Sequence, residues 1–490
     1  MNWKKTLLCT AALLATIPCM GRNAVYADEM SEESTFTVTV TNTPAGHTYA
    51  AYRVFKARTA PDGTLSDITW GDGVNADAVV SGLQDAGFAY KSKFEGKTSA
   101  KDIAAVISKN MRDADFVRAV SKLLVDCKAA KAADSDPAGN VLKLTGAGYY
   151  LTLDETELEN QNDSRSAVLM FTSESSLTID PKIEIPTYSK VIVSGNEEVK
   201  TEDYGLNDTI HYRLSAQLPD NYMEYEAYEL HFFDSSTGIR YVPESFTVKA
   251  DTAELSVQPQ ISGSSMTLDI ADLKTLVSAD LSGKNVTVDY EGVVTDSAVL
   301  GSAGNPNTSY ITYSNDPQGT QKGRSPEERA VFYTYQLEVS KVDEMEQPLA
   351  GASFILEKKN GESYEPCMNA EITQEGSIFT FARISDGEYR LTETKAPVGY
   401  NAIEPIEFTV ASEHQSDGAV FSLTSLTSTK KGKTAAQGSL TDGKITIMAV
   451  NRKGVVLPVT GGTGTAVLYG AGILLLAAAV LLMQKKHEKE

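Results

Sequence analysis

Three residues far apart in this chain have the types needed to make an amide bond: a lysine amine, an asparagine side-chain amide and a carboxylic acid. Lys341 lies in LEVSKVD, Glu393 in YRLTETKAPVGY and Asn451 in MAVN. In the second stretch Tyr389, Leu391 and Glu393 alternate with Arg390, Thr392 and Thr394, the period of a β-strand, so Glu393 shares a face with two core residues. A carboxylate on a core-facing side is costly unless neutralised or paired. Burial lowers the pKa of a lysine and frees its lone pair; it raises that of a carboxyl, which then donates to the asparagine carbonyl and polarises it. The expected chemistry is attack of Lys341 on Asn451 with loss of ammonia, Glu393 serving as the acid. A folded core supplies the effective concentration that this aminolysis needs.

The order lysine, acid, asparagine occurs a second time, with Lys190 in YSKVIV, Asp234 in YELHFFDSSTG and Asn315 in TYSN. Asn307 is an alternative acceptor there and Asp251 an alternative acid. Both reactions are single events of self-modification rather than turnover. Each would tie the first strand of a unit to its last, and a tie of about 110 residues stabilises by a few kcal/mol on the chain-entropy estimate.

The elements that must position these groups are mostly strands. FTVTVTN (36–42), KLTGAGYYLTLDE (143–155), AVLMFTS (167–173), FTVKA (246–250), NVTVDYEGVV (285–294), YITYSN (310–315), SFILEKK (353–359), IEFTVAS (406–412) and KITIMAVN (444–451) are short, alternating and separated by turn residues, as in tandem Ig-like β-sandwiches. Residues 98–132 break the pattern, with Ile103, Val106 and Ile107, then Phe116, Ala119 and Val120, at helical spacing. One or two helices inserted in the first unit are expected. Proline-rich IDPKIEIPTYSK and polar SNDPQGTQKGRSPEER read as junctions, dividing the chain into units at 28–180, 181–330 and 331–453.

MNWKKTLLCTAALLATIPCMGRNAVYA has the layout of a secretory signal, 1–27, cleaved after Ala27; a lipoprotein reading through Cys19 lacks the small residue before the cysteine. Residues 464–483 are apolar enough to span a bilayer as a helix, followed by a basic tail, 484–490. A formal net charge of −21 argues against nucleic-acid binding and suits an exported protein. Beyond the signal only Cys127 and Cys367 remain, so robustness must come from something other than a disulfide framework. The five histidines show no metal-ligand spacing, no phosphate loop or nucleophile elbow is visible, and no cofactor is implied. DSDPAGN (134–140) reads as a turn rather than a calcium loop.

KVDEMEQPLAGASFIL, DGEYRLTETKAPVGY and ITIMAVN together closely resemble the collagen-adhesin B-type domain of Gram-positive surface proteins, and YRLTETKAPVGY resembles the pilin E-box. The resemblance implies Lys341 as nucleophile, Asn451 as acceptor and Glu393 as catalytic acid. IPTYSK through HFFDSSTG to YITYSNDP resembles the middle domain of sortase-assembled backbone pilins, implying Lys190, Asp234 and Asn315 as the equivalent set. The first unit, with AYRVFKA and DITWGDGV, resembles the N-terminal pilin domain and shows no such set. LPVTG (457–461), ahead of the apolar span and the lysines, matches the LPxTG cell-wall sorting signal. This implies a site at Leu457, Pro458, Thr460 and Gly461, cleaved between Thr460 and Gly461 by a sortase. The acyl group passes either to a cell-wall precursor amine or to a lysine of another copy. Lys182, in LTIDPKIEIP, occupies the pilin-motif position, with Asp180 where related pilins carry tyrosine.

The expected function is therefore a structural one: the shaft subunit of a covalent, wall-attached surface pilus. Its partners would be a pilus-assembling and a housekeeping sortase, other copies of itself, cell-wall peptidoglycan and a host extracellular ligand. The alternative is a wall-anchored adhesin or minor pilin that binds a host ligand without polymerising.

Overall fold

A computed structural model describes residues 35–454, apart from 43, 60–64, 174–175, 182, 368–370, 418–419 and 431–432. The signal, the sorting motif and the apolar span lie outside these residues. Among the described residues no helix is long and apolar enough to cross a membrane.

Three β units follow one another. The N-terminal unit pairs a three-stranded sheet around Thr35–Val40 with a five-stranded sheet around Tyr49–Thr59 and Gly148–Asp154. Helices Ala76–Leu83, Lys91–Phe94, Ala100–Asn110 and Ala114–Asp126 intervene, two more than the sequence pattern suggested. Ile103, Ile107, Phe116 and Val120 are buried in their shared core, as the helical spacing requires. Ser99 and Asp113 cap the two longer helices by accepting from the backbone N–H three residues on. The DSDPAGN stretch is a turn, in which the Asp136 carboxylate accepts from the backbone of Asn140 and Val141.

The middle unit is a sandwich of two seven-stranded sheets. The Lys190 strand, Thr187–Ser194, lies beside Thr209–Gln217, which pairs with Asn285–Val294. The facing sheet carries Leu230–Ser236 next to Asn305–Ser314, which in turn pairs with Glu328–Tyr333. The expected boundary at 330 therefore falls inside a strand. Residues 314–329, read as a linker from their polar and Gly-rich composition, form the edge of this sheet, where Lys322–Arg324 pairs back onto Asn305–Ser314. A solvated sheet edge and a linker have similar compositions, and only the pairing separates them.

In the C-terminal unit a four-stranded sheet, ordered Glu371–Glu375, Ile378–Ile384, Tyr335–Val342, Lys444–Val450, packs on a six-stranded one containing Ser353–Asn360, Gly387–Lys395 and Ile406–Asp417. The first and last strands are parallel neighbours, with Lys341 opposite Ala449 and Val342 opposite Val450.

The middle and C-terminal units meet on a buried polar knot. Asp203 accepts from the Tyr335 hydroxyl and from Ser412, and lies 3.0 Å from His414 Nε2. Gly301 (φ +73°) approaches Gly443 so closely that a Cβ on it would sit 2.4 Å from the Gly443 nitrogen, so both the conformation and the contact call for glycine.

Candidate functional sites

In the C-terminal unit the alternation of YRLTET places Tyr389 and Leu391 in the core with Glu393 beside them, 7% exposed. Lys341 and Asn451 are fully buried. Parallel pairing brings them to one end of the sheet, and Asn451 N–H donates to Val342 O at 3.0 Å. Glu393 arrives from the opposite sheet. Its two carboxyl oxygens accept from Asn451 Nδ2 at 3.1 and 3.0 Å, and Oε2 also accepts from the Ile403 N–H at 2.9 Å. Asn451 Nδ2 donates again to Asn401 O at 2.9 Å. The Lys341 amine donates to Val342 O and Ala449 O, both at 3.1 Å. Burial lowers the pKa of this amine from its ordinary value, with Glu393 and Asp343 opposing the shift. Asn451 Oδ1 is buried without a hydrogen-bond partner. An orphaned carbonyl oxygen of this kind carries a desolvation penalty of about 1–3 kcal/mol.

The middle unit collects its groups differently. Lys190, fully buried, donates to Asp234 Oδ2 across the sandwich and to the Tyr290 hydroxyl at 2.8 Å. Tyr290 also receives Asn307 Nδ2 at 2.9 Å, and Asp234 Oδ1 accepts from Tyr241 at 2.6 Å. The rings of Tyr212 and Tyr290 lie 5.0 and 5.4 Å from the Lys190 nitrogen. Burial lowers the Lys190 pKa and the Asp234 carboxylate works against it. Asn307 Oδ1 is buried and unpartnered, like its counterpart in the C-terminal site.

Asn307, rather than Asn315, therefore stands beside Lys190. Asn307 is opposite Ser236 and close to Asp234 in the strand register; Asn315 lies eight residues further on, roughly 27 Å along an antiparallel strand. Both have the inward parity, so alternation could not choose between them. Asp251, the alternative acid, sits in a turn with φ +52° and pairs at the surface with Lys284. Tyr290, Tyr241 and Tyr212 were missed in the sequence. Within NVTVDYEGVV, Tyr290 has only the signal of an ordinary inward aromatic.

Asn315 has another place. Its Nδ2 donates to Leu158 O and Asp163 O at 3.0 and 3.1 Å, pinning the N-terminal unit to the middle one. Arg165 adds an ion pair to Asp316 at 2.8 Å, and Arg165 N–H donates to Asn315 O at 2.8 Å. Buried His47 holds this segment, its Nδ1 2.7 Å from Asp154 and its Nε2 3.2 Å from Asp163. Burial alone would lower the His47 pKa, but the carboxylates of Asp154 and then Asp163 outweigh it and raise the value above the ordinary 6.5. Burial would raise Asp154; its bonds to His47 and Thr156 prevail and hold it below 3.8. The sign follows from linkage. The His47 contribution is fully present below 6.5 and is lost as pH rises through the raised value. The Asp154 contribution is present above 3.8 and is lost as pH falls through the lowered one. The N-terminal unit is thus expected to be most stable between about pH 4 and 6.5 and to lose Tm toward alkaline pH. His47→Gln should remove that alkaline loss in a calorimetric pH series; an alkaline loss undiminished in the variant would contradict the assignment.

Lys182 and the motif residues Leu457, Pro458, Thr460 and Gly461 lie outside the described residues. Among the described residues Cys127 and Cys367 are free thiols, and no cluster of metal-ligating side chains occurs.

A prealbumin-like fold domain of the SpaA family matches residues 335–418, and an LPXTG cell wall anchor motif matches residues 449–490. The trypsin-resistant surface T6 protein of Streptococcus pyogenes serotype M6 is 25% identical over 244 residues, 45% of this chain and 44% of that protein, so the chain spans less than half the length of that relative. The structure of the T6 backbone pilin of that serotype, a modular three-domain protein, matches with a TM-score of 0.54 and 16% identity over 87% of this chain and 100% of that one. The full-length major pilin SpaD of Corynebacterium diphtheriae matches with a TM-score of 0.47 and 14% identity over 86% and 97% of the two chains.

Tandem β-sandwiches ahead of an LPXTG cell wall anchor motif define a surface protein anchored at the cell wall. Within that class residues 335–418 match the SpaA prealbumin-like fold domain, and the three-unit architecture is similar in fold to the T6 backbone pilin.

Proposed function

We propose that this protein is the structural subunit of a covalent surface pilus, locked internally by Lys341–Asn451 and Lys190–Asn307 amide bonds. A sortase joins it through Thr460 to Lys182 of the next copy, and the finished fibre is attached to the wall and supports adhesion. The observation that carries the reading is the C-terminal constellation: a fully buried lysine and asparagine at the ends of paired first and last strands, with Glu393 bonded to the asparagine.

Each bond forms between the lysine Nζ and the asparagine Cγ, while the Cγ–Nδ2 bond breaks and ammonia leaves. In the middle unit, transfer of one proton from Lys190 to Asp234 turns a buried ion pair into a neutral amine and a neutral acid. That transfer supplies the nucleophile and the carbonyl-polarising donor together, and removes two charges from a site that solvates neither. In the C-terminal unit the acid contacts the acceptor and not the nucleophile. Rotation of the Asn451 amide would present its orphaned Oδ1 to a protonated Glu393, the arrangement in which nucleophilic attack is assisted.

The test is the surface material of cells expressing the full chain. Wild type should give an SDS-resistant ladder of multimers; Lys182→Ala should give wall-anchored monomer only, and Thr460→Ala neither. A wild-type chain found only as wall-anchored monomer would instead favour a non-polymerising adhesin.

A further inference from the structure

The outward face of the C-terminal four-stranded sheet carries the Glu338–Lys444 ion pair at one end and is apolar at the other, where the chain leaves the unit. Ser340 points away from the core, between Ile378 on one neighbouring strand and Met448 on the other, and these two are 41% and 51% exposed. One step along, Val450 (40% exposed) stands opposite Val342. At the same end, Met345 and Val398 are 79% and 98% exposed on the two loops that grip the departing chain. Lys453 N–H donates to Glu344 and Gly454 N–H to Gly399 O. Lys444–Val450 is the edge strand of its sheet, and no charged side chain interrupts Thr446, Met448 and Val450 on its outward side. Clustered, edge-located apolar side chains of this kind mark a surface that is covered in use.

We infer that this face docks a second copy of the chain, on the surface around Met223 and Leu276 of the middle unit. The inference rests on the polymerisation reading above. Thr460 lies six residues beyond Gly454, so a molecule joined to it is tethered within about 20 Å of the patch. On the receiving side, Met223 and Leu276 are 36% and 50% exposed and are linked through Lys274, which donates to Met223 O at 3.2 Å. That surface adjoins the segment that follows Lys182 in the sequence, where Glu184 accepts from the Asp220 N–H at 2.6 Å. Exposed Arg452 and Lys453 leave the donor face, while exposed Asp220 and Glu224 rim the receiving one beside Lys274, with Glu226 already paired to Lys122, so acidic groups of the receiving rim are available to the basic exit segment. A tether this short places the two patches at an effective concentration near the millimolar range, which lets a small contact set the angle between successive subunits.

The test uses the full-length chain on its assembling cell. Ile378→Glu with Met448→Glu, and separately Met223→Glu with Leu276→Glu, are expected to cut the ratio of SDS-resistant multimer to wall-anchored monomer at least tenfold while total anchored protein stays constant. Retention of the ammonia losses in these variants shows that the units still fold. A photo-crosslinking residue at position 448 of the otherwise unaltered chain should join to peptides between 220 and 280 of another copy. Unchanged ladders in the folded variants, or adducts only to a sortase or to an unrelated protein, would overturn the docking surface. A wild-type chain that forms no ladder would instead fail the polymerisation reading itself.

Discussion

Glu393→Gln is expected to leave the C-terminal unit about 5 kcal/mol less stable than wild type. The substitution is nearly isosteric, and glutamine still accepts the Ile403 N–H, so the packing of Tyr389, Leu391 and the facing sheet is preserved. What it removes is the acid proposed to assist bond formation. Without the Lys341–Asn451 amide, a loop of about 110 residues is freed in the unfolded chain, and closing a loop of that size accounts for the full amount on the chain-entropy estimate. For a unit of this length the loss corresponds to a Tm lower by on the order of 20 °C. Lys341→Ala should lose at least as much, because it also leaves a cavity in the core. Calorimetry of both variants checks this. A Glu393→Gln protein that keeps the wild-type Tm would mean that the acid is dispensable or that no tie forms.

The second large effect separates the two asparagines of the middle unit. Asn307→Ala should abolish the middle tie and lower stability by a similar amount, about 5 kcal/mol for a loop of about 117 residues. Asn315→Ala should leave the tie intact and act at the joint between units. There it strands the carbonyls of Leu158 and Asp163, at a cost of about 1–3 kcal/mol for each buried group left without a partner. Peptide mapping distinguishes the outcomes: a branched Lys190–Asn307 peptide present in Asn315→Ala and absent in Asn307→Ala. A branched peptide lost on Asn315→Ala alone would reverse the assignment.

The contrast between these sites marks how far the sequence could be read. Glu393 was legible because its strand is short and strictly alternating, so the identities of Tyr389 and Leu391 fix its face. Lys341 and Asn451 were legible as a pair because they close the first and last strands of one unit, which lie side by side. In the middle unit the same residue order serves another geometry. Lys190 faces Asp234 and Asn307 across two sheets, so the tie would join layers rather than neighbouring strands. Which asparagine lies opposite depends on the register of Leu230–Ser236 against Asn305–Ser314, and register is a long-range property that local alternation does not encode. Tyr290 was invisible for a related reason: as an inward tyrosine it looks like core until the partners of its hydroxyl are known. The boundary at 330 failed because the polar hairpin edge that precedes it has the composition of a linker. The helices of the first unit were recognised where apolar spacing was strong, at Ile103–Ile107 and Phe116–Val120, and missed at Ala76–Leu83.

The two proposed ties would also explain how an exported chain with two free, separated thiols holds together. An amide tie would be indifferent to reductants, and in both units the residues proposed to form it are buried. The joints between units rely instead on buried polar groups: Asn315 and Arg165 on one side, Asp203 with Tyr335, Ser412 and His414 on the other.

The most direct measurement is the intact mass of residues 28–456 produced without any sortase. The account predicts a value two ammonia units below that of the sequence, with one unit restored by Lys341→Ala and the other by Lys190→Ala. A mass equal to the sequence value would contradict it.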